Sequence, residues 1–518
     1  MKESRIPAMT HEKDPVLIVG AGIGGLVAAV HLAARGRRVT VFDAHSWAGG
    51  KIRTTPSSAG PVDAGPTVLT MRPVFEAVFA AAGTRLQDHL TLVELPVLAR
   101  HFWTDGTRLD LTPCPSANAT AIASAFGSRA EREFRAFQAQ SMALFQAFKA
   151  PVMHAARPNA FAAARAALRH PQTLPWLVPG RTLQDMLTQR FASPHLRQLF
   201  GRYATYVGGN PLQAPAVLAL IWQAEAAGVW AVQGGMARLA QVLGDLLHQL
   251  GGKVRLDMRV QSILSTGGRL DGVQMADGTV IRAAQVIFNG DPAALPALLG
   301  QARGSPKPKQ VFPRSLSADV WTFAATVRGQ GLGRAALDYH NVFFGADPAQ
   351  EFGPLAQGNR PQHPTIYACA QDRATGQPDG PERFQLILNA PPVGADGQKG
   401  PPPCLTDPLA RLARFGLHLT PEATTATLTQ PQDFAALFPH SQGALYGLSP
   451  NGTMATFQRP TARSRLAGLY LAGGGVHPGA GVPMAALSGQ HAAQAAMADR
   501  ISAPVSRQTA ITGGMSTG

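Results

Sequence analysis

The 518-residue chain has only three cysteines and few charged side chains. Cys114, Cys369 and Cys404 are too widely separated to match a metal-binding spacing or a disulfide framework, which is consistent with a reducing compartment. Charged residues make up 15% of the chain and apolar residues 45%. This balance excludes disorder over most of the length and suits a large apolar interior or an apolar ligand. The length predicts two or three interleaved domains.

Long uncharged apolar runs are also missing, except for the segment from Val16 to Ala34. That segment is nearly long enough to span a bilayer, but its four glycines, His31 and its strand-turn-helix pattern argue against a transmembrane helix. Residues 1–14 have no apolar core like that of a secretory signal. We therefore expect a cytoplasmic protein.

Acidic residues are scarce relative to basic ones: 31 against 46, with a net charge of +15. A charge of this size favours an anionic partner. The chain has no recognition motif for nucleic acid, no lysine-rich tract and no aromatic ladder, so we expect no nucleic acid and favour an anionic membrane surface. A generally arginine-rich composition would raise the charge equally, without any function.

The most informative feature that is present is a glycine-rich turn between a strand and a helix. Val16–Val19 is a short apolar run, and Gly20, Gly22 and Gly25 complete the pattern G-x-G-x-x-G before a helical segment. The first glycine allows the tight turn, the second lets a pyrophosphate approach the helix N-terminus, and the third lets helix and strand pack closely. Asp43 ends the next strand, where its carboxylate can bind a ribose hydroxyl. The pattern predicts a dinucleotide site.

A second glycine pair favours FAD over NAD. The segment AGGKIRT, residues 48–54, places Gly49, Gly50, Lys51 and Arg53 directly after the acidic strand, near the same pyrophosphate. A solvated basic turn is the alternative reading. Near the C-terminus, the strand GLYLAGGG leads into HPGAGVPMAALSG, a third glycine-rich turn before an Ala-rich helix. Its N-terminus could face the polar end of a flavin ring, whereas His477 is as well explained by a turn.

Pattern changes along the chain predict an α/β protein: a Rossmann-type FAD-binding domain with an interleaved substrate domain of mixed sheet and a helical insertion. The predicted segments are a flexible N-terminus at 1–14, the FAD-binding domain at 15–117, 226–300 and 456–500, a helical substrate and membrane-contact region at 118–225, a substrate-domain sheet at 301–455, and a flexible tail at 501–518.

The helical region contains a candidate segment for membrane contact. Prolines leave Leu174, Trp176, Leu177 and Val178 without predicted regular structure, and arginines at 157, 165, 169 and 181 flank them. Apolar residues ringed by arginines suit either an interfacial membrane patch or a domain interface.

Together, GAGIGG, AGGKIRT, DAGPT (residues 63–67), the Arg259–Val260 pair and the C-terminal GLYLAGGGVHPGAGVPMAALSG resemble the bacterial carotenoid desaturase family over nearly the whole chain. The C-terminal ending and the segment NVFFG at 341–345 are most similar to its 1-hydroxycarotenoid 3,4-desaturases, the hydroxyneurosporene or methoxyneurosporene desaturases. Asp43 departs from the glutamate more usual there. The resemblance and the motifs imply FAD as cofactor, held by these residues: Gly20, Gly22, Gly24, Gly25, Asp43, Gly50, Lys51, Arg53, Gly65, Pro66, Thr67, Val260, Gly474, Gly475, Val482, Pro483 and Met484.

The resemblance also implies the reaction. An acyclic 1-hydroxycarotenoid would lose a hydride to flavin N5 and a proton, with oxygen or a quinone as the final electron acceptor, on a protein peripherally associated with the inner membrane. An apolar tunnel that positions the polyene could supply most of the catalysis, and no catalytic residue and no metal site is predicted. The substrate hydroxyl would need a hydrogen-bond partner once desolvated. The candidates are Tyr203, Tyr206, Asn210, Trp222 and Gln223, although core packing and ordinary loop contacts explain any one of them better.

Four alternatives remain at this point. A phytoene desaturase shares most of these motifs. A non-redox carotenoid cis-trans isomerase could use the same fold with reduced flavin. A flavin amine oxidase needs an aromatic cage and, in some members, a cysteine tether, but the C-terminal segment offers no cysteine and only Tyr470 as an aromatic. A carotenoid carrier would leave the flavin motifs unexplained.

Overall fold

A computed structural model describes residues 15–300, 313–329, 337–394, 403–422 and 426–499. The two termini predicted to be flexible, 1–14 and 501–518, lie outside the described residues. The strands are β1 (Val16–Val19), β2 (Val39–Phe42), β3 (Thr54–Thr55), β4 (Val62–Asp63), β5 (Leu92–Glu94), β6 (Ala99–Phe102), β7 (Arg108–Leu111), β8 (Trp230–Val232), β9 (Lys253–Arg255), β10 (Val260–Thr266), β11 (Arg269–Met275), β12 (Val280–Arg282), β13 (Gln285–Phe288), β14 (Ser317–Gly329), β15 (His340–Phe343), β16 (Ile366–Ala370), β17 (Glu382–Ala390), β18 (Leu417–Pro421), β19 (Thr427–Thr429) and β20 (Leu469–Leu471).

The α-helices alternate with these strands and concentrate between β7 and β8. They are α1 (Ile23–Ala33), α2 (Arg72–Ala81), α3 (Pro115–Phe126), α4 (Ser128–Phe148), α5 (Ala160–Leu168), α6 (Leu183–Arg190), α7 (Pro194–Gly201), α8 (Ile221–Ala226), α9 (Ala237–Gln249), α10 (Leu295–Leu298), α11 (Pro348–Ala356), α12 (Thr406–Arg414), α13 (Pro431–Leu437), α14 (Ala455–Gln458) and α15 (Val482–Ala498). Within the described ranges, none of the helices combines the length and apolarity needed to cross a membrane.

A five-stranded parallel sheet has the order β20-β13-β1-β2-β9. Because side chains alternate along β1, Val16 and Ile18 pack on one face against α1, α9 and α15. Leu17 packs on the other face against the antiparallel β10-β11-β12 sheet. The sheet is therefore covered on both faces, as parallel sheets require, and it has the predicted Rossmann-type layering.

A larger, mixed sheet has the order β18-β14-β17-β16-β15-β6-β7, with β19 also paired to β14. The segments WTFAATVRG, NVFFG, TIYACA and FQLILNA, which were predicted as strands, contribute to it. Residues 99–111, which fall in the segment 15–117 predicted as part of the FAD-binding domain, pair with this sheet. Strand β6 pairs in parallel with β15, and the rings of Phe102 and Phe343 stack at 4.7 Å, so the β6–β7 hairpin extends this sheet.

The helical region, α3 to α8, packs around a core of aromatic side chains that includes Phe137 and Phe200. The prediction for residues 174–178 is wrong in part. Residues Pro171–Leu177 form a 3-10 helix, and Trp176 is 1% exposed, with its indole Nε1 donating to Gln140 at 3.2 Å. Trp176 is therefore a core residue and does not lie on the surface.

Candidate functional site

The glycine turn after β1 is closely packed against the next parallel strand. Gly20 has φ of +105°, and its carbonyl oxygen accepts a hydrogen bond from Asn289 Nδ2 at 3.0 Å. A Cβ on Gly25 would lie 2.1 Å from the Gly20 oxygen, which agrees with the predicted tight contact between helix and strand. A Cβ on Gly24 would lie 2.6 Å from Asn289 Oδ1, and one on Gly489 would lie 2.1 Å from the Gly24 oxygen. Gly24 therefore lets α1 and α15 pack closely.

Asp43 lies at the end of β2, beside the glycine turn. Its side chain is buried; Oδ2 accepts from the backbone N–H of Ala21 at 2.7 Å, and Oδ1 accepts from the N–H of His45 at 2.9 Å. The His45 ring nitrogen Nδ1 also lies 2.8 Å from Oδ1. The carboxylate thus fixes the glycine turn directly, a role that spacing along the sequence did not reveal.

The AGGKIRT segment folds over the same turn. Gly50 has φ of +61°, and a Cβ there would lie 3.1 Å from the Gly22 Cα, so the two glycine segments touch backbone to backbone. The Lys51 ammonium donates to the Leu445 carbonyl at 2.5 Å, and the Arg53 guanidinium donates to Thr429 Oγ1 at 2.6 Å. A Cβ on Gly65 would lie 2.0 Å from the Lys51 oxygen, which explains a glycine at that position. Both cations are held by the substrate-domain side of the molecule.

The C-terminal turn brings Gly474 and Gly475 to the carboxyl end of β20. A Cβ on Gly475 would lie 2.8 Å from Pro292 Cδ, and the Gly474 oxygen accepts from the buried Arg459 at 3.1 Å. His477 is buried, its Nε2 lies 2.8 Å from the Ala155 carbonyl oxygen, and burial lowers its pKa. The structure therefore explains His477 as a packing residue that ties this turn to the helical region.

A cavity of about 670 Å³ connects the helical region, the large sheet and the C-terminal turn. Its wall is mainly apolar and includes five of the predicted site residues: Pro66, Thr67, Val482, Pro483 and Met484. Val260 lies elsewhere, in the apolar layer between the five-stranded sheet and β10–β12. The cavity thus meets the start of α15, where the sequence predicts the flavin ring.

Polar side chains interrupt the apolar wall at several places, two of which lie near the predicted site residues or carry a buried ion pair. Thr67 Oγ1 lies 2.7 Å from the Tyr367 hydroxyl, which in turn lies 2.6 Å from His340 Nδ1. Arg202 and Glu225 form a buried ion pair at 3.1 Å. Sequence reasoning missed Tyr367, Arg202, Glu225 and Arg459, because no motif joins residues that only the tertiary fold brings together.

The five residues proposed from sequence as partners for a substrate hydroxyl separate into two groups. Tyr206 lines the cavity. Tyr203 is buried beside it and donates a hydrogen bond to Glu225, the carboxylate of the ion pair with Arg202. The other three bind within the core: Asn210 donates to the Phe352 carbonyl, Trp222 to Gln138 and Gln223 to Ser141.

The residues present fit FAD. The N-cap residues of helices α1 and α15 are Gly22 and Gly481, so neither helix N-terminus is capped by a side chain. Neither helix has an acidic residue in its first turn. Both helices therefore offer backbone N–H groups and the positive end of a helix dipole, one for a pyrophosphate and one for the polar edge of a flavin. Asn289 Oδ1, between the two, is buried without a hydrogen-bond partner among the described residues. The fold and the site define an FAD-dependent oxidoreductase with an apolar substrate cavity.

Comparisons with known proteins agree with this class. The flavin containing amine oxidoreductase family matches residues 23–366. Hydroxyneurosporene desaturase from Cereibacter sphaeroides is 52% identical over 93% of this chain and 97% of its own length. Its counterpart from Rhodobacter capsulatus is 48% identical over 96% of this chain and 100% of its own length. A solved structure of putrescine oxidase has a TM-score of 0.58 at 16% identity, covering 94% of this chain and 99% of that one, and supports the fold alone.

The chain belongs to the flavin-containing amine oxidoreductase family and, within it, to the bacterial carotenoid desaturases. The predicted family, fold class and FAD cofactor are confirmed. The protein is an FAD-dependent oxidoreductase of carotenoid biosynthesis that acts in carotenoid desaturation.

Proposed function

We propose that this enzyme introduces the 3,4 double bond into an acyclic 1-hydroxycarotenoid. The observation that carries the proposal is the apolar cavity that reaches the start of α15, because a polyene bound there would lie against the predicted flavin position. The names of the relatives from Cereibacter sphaeroides and Rhodobacter capsulatus support hydroxyneurosporene as the type of substrate.

The chain's own residues act through positioning in this proposal. FAD, when bound, supplies the acceptor for the hydride that leaves one of two adjacent substrate carbons. The glycine turns at Gly22 and Gly50 admit the pyrophosphate, and the segment Val482–Met484 presents helix N–H groups to the flavin. The apolar cavity wall orients the polyene and excludes water from the reacting carbons. The 17 residues predicted from sequence and the predicted domain boundaries remain part of this proposal.

An exposed apolar patch supports a peripheral position on an anionic inner-membrane surface. Phe161 is 82% exposed, Leu168 67% and Val178 44%. Phe161 and Leu168 lie seven positions apart, on one face of α5, and arginines at 157, 165 and 169 are exposed around them. Val178 also lines the cavity, so the patch borders a route for an apolar substrate from the lipid. Reoxidation by oxygen or by a membrane quinone completes the proposed cycle.

Product analysis tests this function. The FAD-loaded enzyme is incubated with liposomes that carry 1-hydroxyneurosporene or phytoene, and products are compared by mass and absorption. A loss of two hydrogens with a red-shifted spectrum from the hydroxylated substrate supports 3,4-desaturation. Turnover of phytoene alone would make the protein a phytoene desaturase, and an unchanged mass with altered retention would make it an isomerase.

A further inference from the structure

A buried polar cluster lies on the wall of the substrate cavity and has no part in the flavin site. It consists of Arg202, Tyr203, Tyr206 and Glu225. The Glu225 carboxylate accepts from the Tyr203 hydroxyl at 2.7 Å, from the Tyr206 hydroxyl at 2.5 Å and from Arg202 Nη2 at 3.1 Å. Arg202 Nη1 also donates to the Tyr206 hydroxyl at 2.5 Å. Arg202, Tyr206 and Glu225 line the cavity.

The cluster retains hydrogen-bonding capacity for a ligand. Arg202 is 7% exposed, and its Nε is buried without a hydrogen-bond partner in the part of the chain that the structure describes. Glu225 Oε2 accepts one hydrogen bond, from Tyr206, within the same part of the chain, although a carboxylate oxygen can accept two. A donor and an acceptor without a full set of partners thus lie together at one part of a mainly apolar wall.

The presence of a buried ion pair in this wall is not explained by its contribution to the stability of the fold. Desolvation of the two charges offsets their attraction, so apolar replacements of such pairs are often neutral or stabilising. Around Arg202 burial opposes the charged form, but Tyr203, Tyr206 and Glu225 outweigh it and raise the guanidinium pKa above its usual value. Arg202 therefore stays charged inside the wall, where it can bind a polar group that enters with an apolar molecule.

We propose that Arg202 and Glu225 bind the hydroxyl group of the substrate and thereby set which bond faces the flavin. A tertiary alcohol can accept from Arg202 Nε while it donates to Glu225 Oε2, which satisfies both partners. This inference rests on the proposed function, since it assumes a hydroxylated carotenoid.

The position of the cluster agrees with the chemistry of a 3,4-desaturation. C1, which carries the hydroxyl, is two bonds from C3, so the hydroxyl site has to lie close to the flavin. Burial and the charge of Arg202 lower the pKa of His340, whose Nδ1 lies 2.6 Å from the Tyr367 hydroxyl. Tyr367 is hydrogen-bonded to Thr67, one of the residues predicted to contact FAD. The cluster is therefore close enough to this predicted flavin contact for its charge to act there.

A second buried carboxylate on the cavity provides a matched control. Glu351 also lines the cavity, but it accepts from the Thr365 N–H and hydroxyl and from Asn389 Nδ2, and among the described residues it forms no salt bridge. Removing its charge therefore changes a cavity carboxylate without touching the proposed hydroxyl site.

The experiment compares 1-hydroxyneurosporene with 1,2-dihydroneurosporene, its counterpart without the hydroxyl. The double variant Arg202→Met/Glu225→Met removes both charges together and so avoids an unpaired buried ion, while Glu225→Gln is a milder second change. Substrate Kd from carotenoid absorption and kcat/KM are measured for each FAD-loaded protein. We expect the wild type to prefer the hydroxylated substrate by roughly 10- to 100-fold, and both variants to lose most of that preference while retaining bound FAD.

The Glu351→Gln variant is expected to keep the wild-type preference. An unchanged preference in both cluster variants, with only a uniform loss of activity, would overturn the inference, as would a loss of preference confined to Glu351→Gln. If the wild type binds the hydroxylated carotenoid preferentially but does not desaturate it, the proposed function fails while the hydroxyl site stands. The two failures are therefore distinguishable.

Discussion

Gly22 leads to a prediction for cofactor binding, because it lacks a side chain at the predicted pyrophosphate site. A Cβ at this position would lie 2.9 Å from Asn289 Nδ2, on the face where a second glycine segment closes over the turn. We expect Gly22→Val to lower FAD affinity at least about tenfold by blocking the pyrophosphate approach. Flavin absorbance of the purified protein measures this. Gly244→Val in α9, where a Cβ would meet nothing within 4 Å, is the control; full FAD content in Gly22→Val would refute the assignment.

The pKa of Lys51 leads to a prediction of how FAD affinity depends on pH. Burial lowers the pKa of Lys51 to about 8, Asp291 opposes this shift, and Arg314 and Arg459 add to it. Since a protonated Lys51 favours the anionic pyrophosphate, FAD affinity should fall as pH rises through about 8, by up to about tenfold per pH unit. Fluorescence titration of the FAD-free protein across this range tests the slope.

The matched variants for this pH series are Lys51→Met and Lys253→Met. The first should bind FAD more weakly near neutral pH and show no such slope, because the titrating group is gone. The second removes an exposed lysine of β9 and should keep the wild-type profile. A slope that survives in Lys51→Met would place the titration on another group.

The close packing of single residues could be predicted where the information was local. The glycine spacing reports contacts within one turn, so the tight backbone contacts at Gly20, Gly22 and Gly25 follow from the sequence, while their role in FAD binding stays a prediction. Arg202 and Glu225 are 23 residues apart on different helical segments, and only the packing of those segments joins them. The prediction that grouped Trp176 with a surface patch was wrong because close neighbours along the sequence differ in burial. Leu174 and Val178 are exposed, but a 3-10 turn directs the Trp176 indole into the core.

Helix α5 carries the membrane-contact prediction. Phe161 and Leu168 project from one face of this helix into solvent. Replacing both by serine should weaken binding to anionic vesicles at least about tenfold, because two large apolar side chains no longer enter the interface. Vesicle co-sedimentation measures the change. Val280→Ser removes an apolar residue of β12 that is 44% exposed and should have little effect. Equal losses in both proteins would exclude α5 as the contact.

Among the larger elements, hairpins and helices were predictable and long-range strand pairing was not. The β6–β7 turn and helix α4 follow from alternation and from helical periodicity in their own segments. The pairing of β6 with β15 joins residues about 240 positions apart, Arg100 with Asn341, and no local pattern encodes it. The sequence therefore could not show that residues 99–111 extend the larger sheet.

The net charge of +15 leads to a test across the entire protein. If the charge serves an anionic surface, binding to anionic vesicles should weaken strongly as salt is raised, while weak binding to neutral vesicles should change little. Flotation assays over a salt series measure both. Equal, salt-independent binding to the two vesicle types would favour the alternative that the arginine content is compositional.

Anaerobic single turnover tests the central claim most directly. The FAD-loaded enzyme is mixed with 1-hydroxyneurosporene without oxygen, and flavin absorbance, carotenoid spectrum and product mass are followed together. We predict that flavin bleaching and the red-shifted carotenoid appear in equal amounts, with a loss of two hydrogens from the substrate. A carotenoid product of unchanged mass, or flavin that stays oxidised while the carotenoid changes, would contradict hydride transfer to FAD in this cavity.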